Sequence, residues 1–257
     1  MGSTPEEIDR LWAATGWCDA WRSLAASEQP VREVELDGFW VYQHAVTIEQ
    51  YGRFLAATGH PEPDMGLMRA LERRPDVPMV FLNWDDAAAY CEWAGASLPT
   101  EAQWEYAARG PERRQFPWGN AWDPALCNCA DAHAGRPLRD ASAYHAWWGT
   151  VTQTAEFVVD CLAPVDAFPT GVSWCGALDM AGNVWEWCAD WYDPALYSRP
   201  AGRNPVAEAR LSNDRVLRGG SWMFDAVRCR GANRGYYNPG ERMDFFGVRP
   251  VAGGEPL

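Results

Sequence analysis

Sixteen tryptophans and nineteen prolines stand in a chain of 257 residues whose helical periodicity fades after Gly110. That combination constrains the fold more than any other feature. Proline removes a backbone donor from helix or sheet, and each indole is a large ring that needs neighbours on every side. The expected body is loop-rich and pinned by aromatic anchors, not a helical bundle. The length suits one large domain or two small ones. No Gly/Ser tract, low-complexity run, block of like charge or internal repeat marks a junction, so one domain is expected.

Capping signals place the first helices. Residues 5–28 read as a helical N-terminal extension with Ile8, Leu11, Trp12 and Trp21 as its apolar positions. The extension is taken as 1–31 and the domain as 32–257. A strand is expected over Arg32–Tyr42, with Val34, Leu36, Phe39 and Val41 alternating around Gly38. Thr47 and Gln50 form a capping box for Ile48–Thr58, which Gly59 stops. Asn83 caps Trp84–Trp93, with Gly95 beyond its end. Thr100 and Gln103 open Glu101–Arg109 in the same way, with Gly110 as the stop. Past Gly110, short aromatic strands such as Val184–Cys188 and Arg215–Leu217 are expected among long loops, of the kind that is usually functional or stapled by ions. The class is α+β: a few helices on a small twisted antiparallel sheet, with a large looped lobe.

The net charge is −13, and every one of the 22 basic residues is arginine. An acidic chain gains no counterion-release affinity for nucleic acid, so neither DNA nor RNA is an expected partner. Arginine without lysine fits a GC-rich coding bias or a use of guanidinium forks on buried carboxylates. The start, Met1-Gly-Ser-Thr-Pro-Glu-Glu, has no basic region followed by an apolar one. No apolar run reaches membrane-spanning length. A cytoplasmic protein without a membrane partner is the expectation. The eight cysteines lack small-scaffold spacing, so free and mostly buried thiols are expected.

Five motifs occur in order: Leu98-Pro-Thr-Glu-Ala-Gln-Trp-Glu-Tyr-Ala-Ala-Arg109, Phe116-Pro-Trp-Gly-Asn120, Ala163-Pro-Val-Asp-Ala-Phe-Pro169, Gly182-Asn-Val-Trp-Glu-Trp187 and Arg218-Gly-Gly-Ser-Trp222. Together they resemble the formylglycine-generating-enzyme (sulfatase-modifying factor) domain, a branch of the C-type-lectin fold, over about residues 32–252. The resemblance implies three functional kinds. Copper oxidases bind the metal through a cysteine pair. Iron sulfoxide synthases carry their histidine ligands largely in a separate helical domain. Variable proteins of diversity-generating retroelements use the fold as a non-catalytic binding platform, diversified near the C-terminus.

The chemistry these kinds need is unevenly represented. The first copper cysteine corresponds to Phe224, and the loop for the second is shorter; Cys229 is the only thiol in this region. One thiolate cannot supply the two-sulfur coordination that Cu(I) prefers, so no copper is expected and no catalytic residue is assigned. The four histidines (His44, His60, His133, His145) show no i, i+4 pairing, and residues 1–31 are too few for an iron-binding domain, so no iron is expected. A site from Cys127, Cys129, His133 and His145 is weaker than buried thiols in a packed loop. The resemblance implies a structural calcium at Asp179, Gly182, Val184 and Glu186, through two side chains and two carbonyls. The other reading of those residues is a cap and a buried Glu186 paired with an arginine. A second calcium set would use Asn128, the Cys129 carbonyl and Asp160, although the chain departs from the pattern around Phe157. Arg218, Arg230, Arg234 and Arg249 are expected to anchor loops on carboxylates such as Glu101, Glu105 or Asp190.

Within the segment 215–249, Gly219, Gly220, Ser221, Trp222 and the arginines look like scaffold. Between them lie Met223, Phe224, Asp225, Val227, Gly235, Tyr236, Tyr237, Glu241, Met243, Asp244 and Phe245. In retroelement variable proteins, Asn codons are mutated at adenine, and Phe, Asp, Val, Gly and Tyr are reachable from an Asn codon ending in C. Met223, Glu241 and Met243 need another template codon. Aromatic side chains give large contact area at low rotamer cost. The expected function is therefore non-catalytic binding of a ligand, a protein or other macromolecule, by this set. The alternative is a divergent metal-dependent oxidoreductase.

Overall fold

The computed structural model describes residues 1–63, 73–151 and 159–254. Its helices begin where side chains satisfy the orphan N–H groups. Helix α1 (Pro5–Thr15) has a Thr4/Glu7 capping box and Pro5 at its first turn, and Gly16 ends it in the left-handed region at φ 69°. The chain continues as a 3-10 helix, Asp19–Glu28, so the helical N-terminal stretch is two pieces. Helices α2 (Ile48–Thr58), α3 (Trp84–Trp93) and α4 (Glu101–Arg109) carry the expected caps Thr47, Asn83 and Thr100. Two short helices follow that the sequence did not signal, α5 (Ala130–Ala134) and α6 (Ala141–Trp148).

The strand expected over 32–42 shortens to β1 (Phe39–Val41), which pairs antiparallel with β6 (Val251–Gly253). The main sheet contains β2 (Trp185–Trp191), β3 (Arg215–Arg218), β4 (Gly235–Tyr237) and β5 (Phe246–Gly247), in the order β4-β3-β2-β5. The β2–β3 and β3–β4 pairs are antiparallel, but β2 and β5 run parallel, with Trp185 opposite Phe246. An all-antiparallel sheet is therefore corrected to a mixed one.

Guanidiniums replace secondary structure as the fastening of the looped lobe. Arg234 donates to both oxygens of Glu101 at 2.6 and 2.9 Å, and Arg218 donates to Glu105 at 2.6 Å and to three carbonyls of residues 231–233. Burial pushes the Glu105 carboxyl up, but Arg218 and Arg109 outweigh it and hold the group at about 2. Arg230 grips Glu28, and both side chains are fully buried. Asp190, by contrast, pairs with no arginine among the described residues: it accepts from the backbone N–H of Glu101 and Ala207 at 2.7 and 2.8 Å. A planar fork that meets two acceptors at once suits such closure, where a lysine would supply only a point charge.

The N-terminal segment is sewn to this framework. Gly2 N–H donates to Glu105 at 2.6 Å, and Arg109 donates to the Gly2 carbonyl at 2.7 Å. Ile8, Leu11, Trp12, Trp17 and Trp21 form one apolar cluster with Phe116, Ala226 and Val227. The Glu28–Arg230 pair and this cluster both join the first thirty residues to the C-terminal segment.

Candidate recognition site

The segment 223–245 leaves the core at two points and re-enters it at β5. Phe224 lies edge-on to Trp185 at 5.7 Å and to Phe245 at 5.5 Å. Phe245 meets Phe246 at 4.9 Å, and Phe246 meets Tyr237 at 5.0 Å. These contacts join two stretches of sequence into one aromatic run. Tyr236, next to Tyr237 along β4, points to the other side of the sheet and stacks on Tyr192 at 4.0 Å. Tyr236 is 50 % and Tyr237 39 % exposed; Glu241 is exposed, and Met223, Phe224, Met243, Asp244 and Phe245 are half-buried. Met223, Phe224, Met243 and Phe245 rest on the main apolar core. The face with Phe224, Tyr237 and Phe245 is thus aromatic and supported from beneath, and Tyr236 is exposed on the other side of β4.

Three of the expected contact residues do not belong to it. Asp225 is 1 % exposed and pairs with Arg228 three residues on, so its charge is spent locally. Val227 is fully buried in the cluster formed by the N-terminal helix. Gly235 presses against the Trp185 indole; an added Cβ would lie 2.7 Å from the ring. Packing fixes all three, whatever their codons permit.

Several supports of this face were missed from sequence. The Tyr144 hydroxyl, on α6, donates to the Met223 carbonyl at 3.0 Å, and Ala130 N–H donates to that of Phe224 at 3.0 Å. Arg242 pairs with Asp86 at the start of α3, where His60 also approaches Asp86 at 2.9 Å. Phe81 N–H donates to the Met243 carbonyl at 2.9 Å. The loop between the two aromatic stretches is therefore tied down in its middle. A 3.6-residue pattern does reach Tyr144 from Trp148, but nothing local in the sequence couples Arg242 to Asp86.

The thiols form no exposed pair. Cys127, Cys129 and Cys229 cluster in the interior with Ala181, under Trp118 and Trp122. Burial pushes the Cys229 thiol up, and the Cys129 contact together with burial does the same for Cys127. Burial keeps all three thiols away from the surface. His133 turns instead to Asn128, at 2.8 Å, and among the described residues no group of three or more His, Cys, Asp or Glu side chains is placed to hold a metal ion. The Asn128 amide also donates to the Cys161 carbonyl and to Asn183, at 2.7 and 3.0 Å. Both ends of that amide are engaged, which counts against the second calcium set; Phe157 lies outside the described residues.

At the other expected calcium turn the four residues divide. Asp179 is buried with φ 55°. Its Oδ1 has no hydrogen-bond partner among the described residues, and burial raises its carboxyl to about 7. Gly182 (φ 79°) and Asn183 (φ 61°) bend the chain sharply toward Val184. Glu186, however, accepts from Arg249 Nη2 and Nε and from the Trp104 indole at 2.6 Å. The expectation of Glu186 as a free side-chain ligand is corrected: its carboxylate is a buried ion-pair acceptor.

The comparisons with known proteins agree with this architecture. The family model of the sulfatase-modifying factor enzyme 1-like domain matches residues 11–253. A formylglycine-generating enzyme from Thermomonospora curvata is 32% identical, over 90% of this chain and 86% of that protein. The chain belongs to the sulfatase-modifying factor enzyme 1-like domain family. Among solved structures, PvdO from Pseudomonas aeruginosa superposes with a TM-score of 0.65 at 23% identity, over 88% of this chain and 85% of that one. Treponema denticola variable protein 1 gives 0.60 at 22% identity, over 88% of each chain. These two likenesses concern the fold: an α+β, C-type-lectin-like domain of the formylglycine-generating-enzyme type. No helix among the described residues is long and apolar enough to cross a membrane.

Proposed function

We propose that this domain is a binding protein without oxidase chemistry, which recognises a protein or another macromolecule through Met223, Phe224, Tyr236, Tyr237, Glu241, Met243, Asp244 and Phe245. One observation carries the reading. Phe224, where the family resemblance places the first copper cysteine, is locked between Trp185 and Phe245 as part of the aromatic run, while Cys229 is buried, which pushes its thiol pKa up. Aromatic anchors on a rigid base are what hot-spot recognition uses. The scaffold beneath them is cross-linked by buried ion pairs that none of these side chains makes. That separation suits a surface diversified by a retroelement, and the Treponema denticola protein called a variable protein has this fold.

Calcium is part of the same proposal, as a structural ion. Asp179 would supply a carboxylate oxygen and Gly182 and Val184 their carbonyls, the hard-oxygen set that Ca²⁺ takes. The unpartnered Asp179 oxygen supports this. When bound, the ion would neutralise a buried charge and clamp the turn that leads into β2.

The competing reading is a divergent metal-dependent oxidoreductase, favoured by identity to a formylglycine-generating enzyme along 86% of that protein. Sequencing many copies of the gene from one population separates the two. The binding reading expects substitutions concentrated at the eight proposed contact positions, with Asp225, Val227 and Gly235 constant. Variation spread evenly over the segment, or none at all, would count against it.

A further inference from the structure

A cavity of about 540 Å³ opens elsewhere on the domain, and none of its walls comes from the segment 223–245. Its volume lies within the range of small-molecule sites, about 300–1,000 Å³. Val34, Leu36, Phe39, Tyr106, Trp174 and Cys175 form most of the lining. Trp174 is fixed in place: its indole N–H donates to the Tyr106 carbonyl at 2.7 Å, and its ring sits edge-on to Tyr106 at 5.0 Å. With its donor satisfied, the 40 % exposed indole offers only an apolar π surface. Gly110, at φ 65°, admits this packing, because a Cβ there would lie 2.7 Å from the Trp174 ring.

The facing wall is the extended segment before β1. Asn204 N–H donates to the Glu35 carbonyl and Asp37 N–H to the Asn204 side chain, each at 2.8 Å, which holds that wall open and straight. Glu35 and Asp37 add two carboxylates to the lining, and no Lys, Arg or His is part of it. Arg203 donates to Asp37 at 2.6 Å and, with Asn204, holds the Asp37 carboxyl below the usual range. Arg203 also pairs with Glu35, at 3.9 Å, so two carboxylates share one guanidinium and the rim keeps one net negative charge. Apolar walls, two aromatic rings and a net negative rim are complementary to a cation on an aromatic body.

We propose that this cavity binds an arylalkyl amine, with the aromatic body against Trp174 and Tyr106 and the ammonium toward Glu35. The site is independent of the recognition face. A matched series tests it on the full chain: tryptamine, the neutral tryptophol and the anionic indole-3-acetate. Saturation-transfer NMR measures binding, and alkylation of Cys175, mapped by mass spectrometry, locates it, since Cys175 is exposed and lines the cavity. Tryptamine is expected to bind and to slow Cys175 alkylation saturably, with tryptophol roughly ten-fold weaker and indole-3-acetate weaker still. Glu35→Gln should bring tryptamine down to the level of tryptophol, leave tryptophol unchanged, and keep alkylation of the half-buried Cys18 at its original rate. Trp174→Ala should weaken both ligands. Equal binding of all three, protection of Cys175 by none, or an amine preference that survives Glu35→Gln would overturn the assignment.

Discussion

Gly235 lies flat against Trp185, so close that a single added carbon would sit 2.7 Å from the indole. The contact joins β4 to β2 across the sheet. It also supports the aromatic run, because Trp185 carries Phe224 on the same ring system. Gly235→Ala is expected to displace the indole and destabilise the fold by about 1–3 kcal/mol, the usual cost of overpacking. Urea denaturation reads this directly, and an unchanged midpoint would mean that Trp185 moves aside freely.

Arg230 and Glu28 are both buried without access to water. Removing one partner of such a pair strands the other charge, at a cost of about 3–5 kcal/mol. Arg230→Met should therefore lower stability by that amount, and Arg230→Met combined with Glu28→Gln should recover part of it. A double variant as unstable as the sum of the two single ones would show that the residues act separately.

Asp190 gives the domain a pH dependence of known sign. Burial first, then the nearby Glu101 charge, raise its carboxyl to about 6, against the two backbone N–H bonds that favour ionisation. A folded-state value above the unfolded one means stabilisation that is complete below the unfolded pKa, near 4, and lost as pH rises through about 6. Wild type should thus lose about 3 kcal/mol relative to Asp190→Asn between pH 4 and pH 7. Asparagine sacrifices one acceptor, so the informative quantity is the change in the gap with pH. A gap that stays constant would place the titration elsewhere.

Calcium should raise the melting temperature of the protein, and chelation should lower it to the metal-free value. At a hundred-fold excess over the dissociation constant the expected gain is about 2.7 kcal/mol. Asp179→Ala should abolish the response. Glu186→Gln is a different matter: it should destabilise the protein with or without calcium, because its carboxylate serves Arg249 and Trp104. A calcium response that persists in Asp179→Ala would remove this turn from consideration.

What could be read before the structure was known follows from where the information lies. The caps at Thr47, Asn83 and Thr100 are local, three residues wide, and place their helices to within a residue. The arginine framework was legible as a class, since buried forks need carboxylates, but Glu28 as the partner of Arg230 was not: the two are 202 residues apart. Helices α5 and α6 escaped notice because neither has a capping box and α5 is only five residues long. The recognition face was half legible. Codon chemistry grouped Asp225, Val227 and Gly235 with Tyr236 and Tyr237, whereas only the fold reveals that the first three face inward or against an indole. The same limit applied to Glu186, whose two possible partners, an ion and Arg249, are indistinguishable from a motif.

The copper position decides between binding and oxidation. With Phe224 in place and Cys127, Cys129 and Cys229 all buried, Cu(I) should find no accessible pair of thiolates. A titration of the reduced protein against a competing Cu(I) chelator, followed by incubation with oxygen and a cysteine-containing peptide, addresses this directly. The expected result is no copper withdrawn from the chelator and no aldehyde in the peptide. One tightly held copper per chain, with conversion of the peptide cysteine to formylglycine, would contradict the recognition reading.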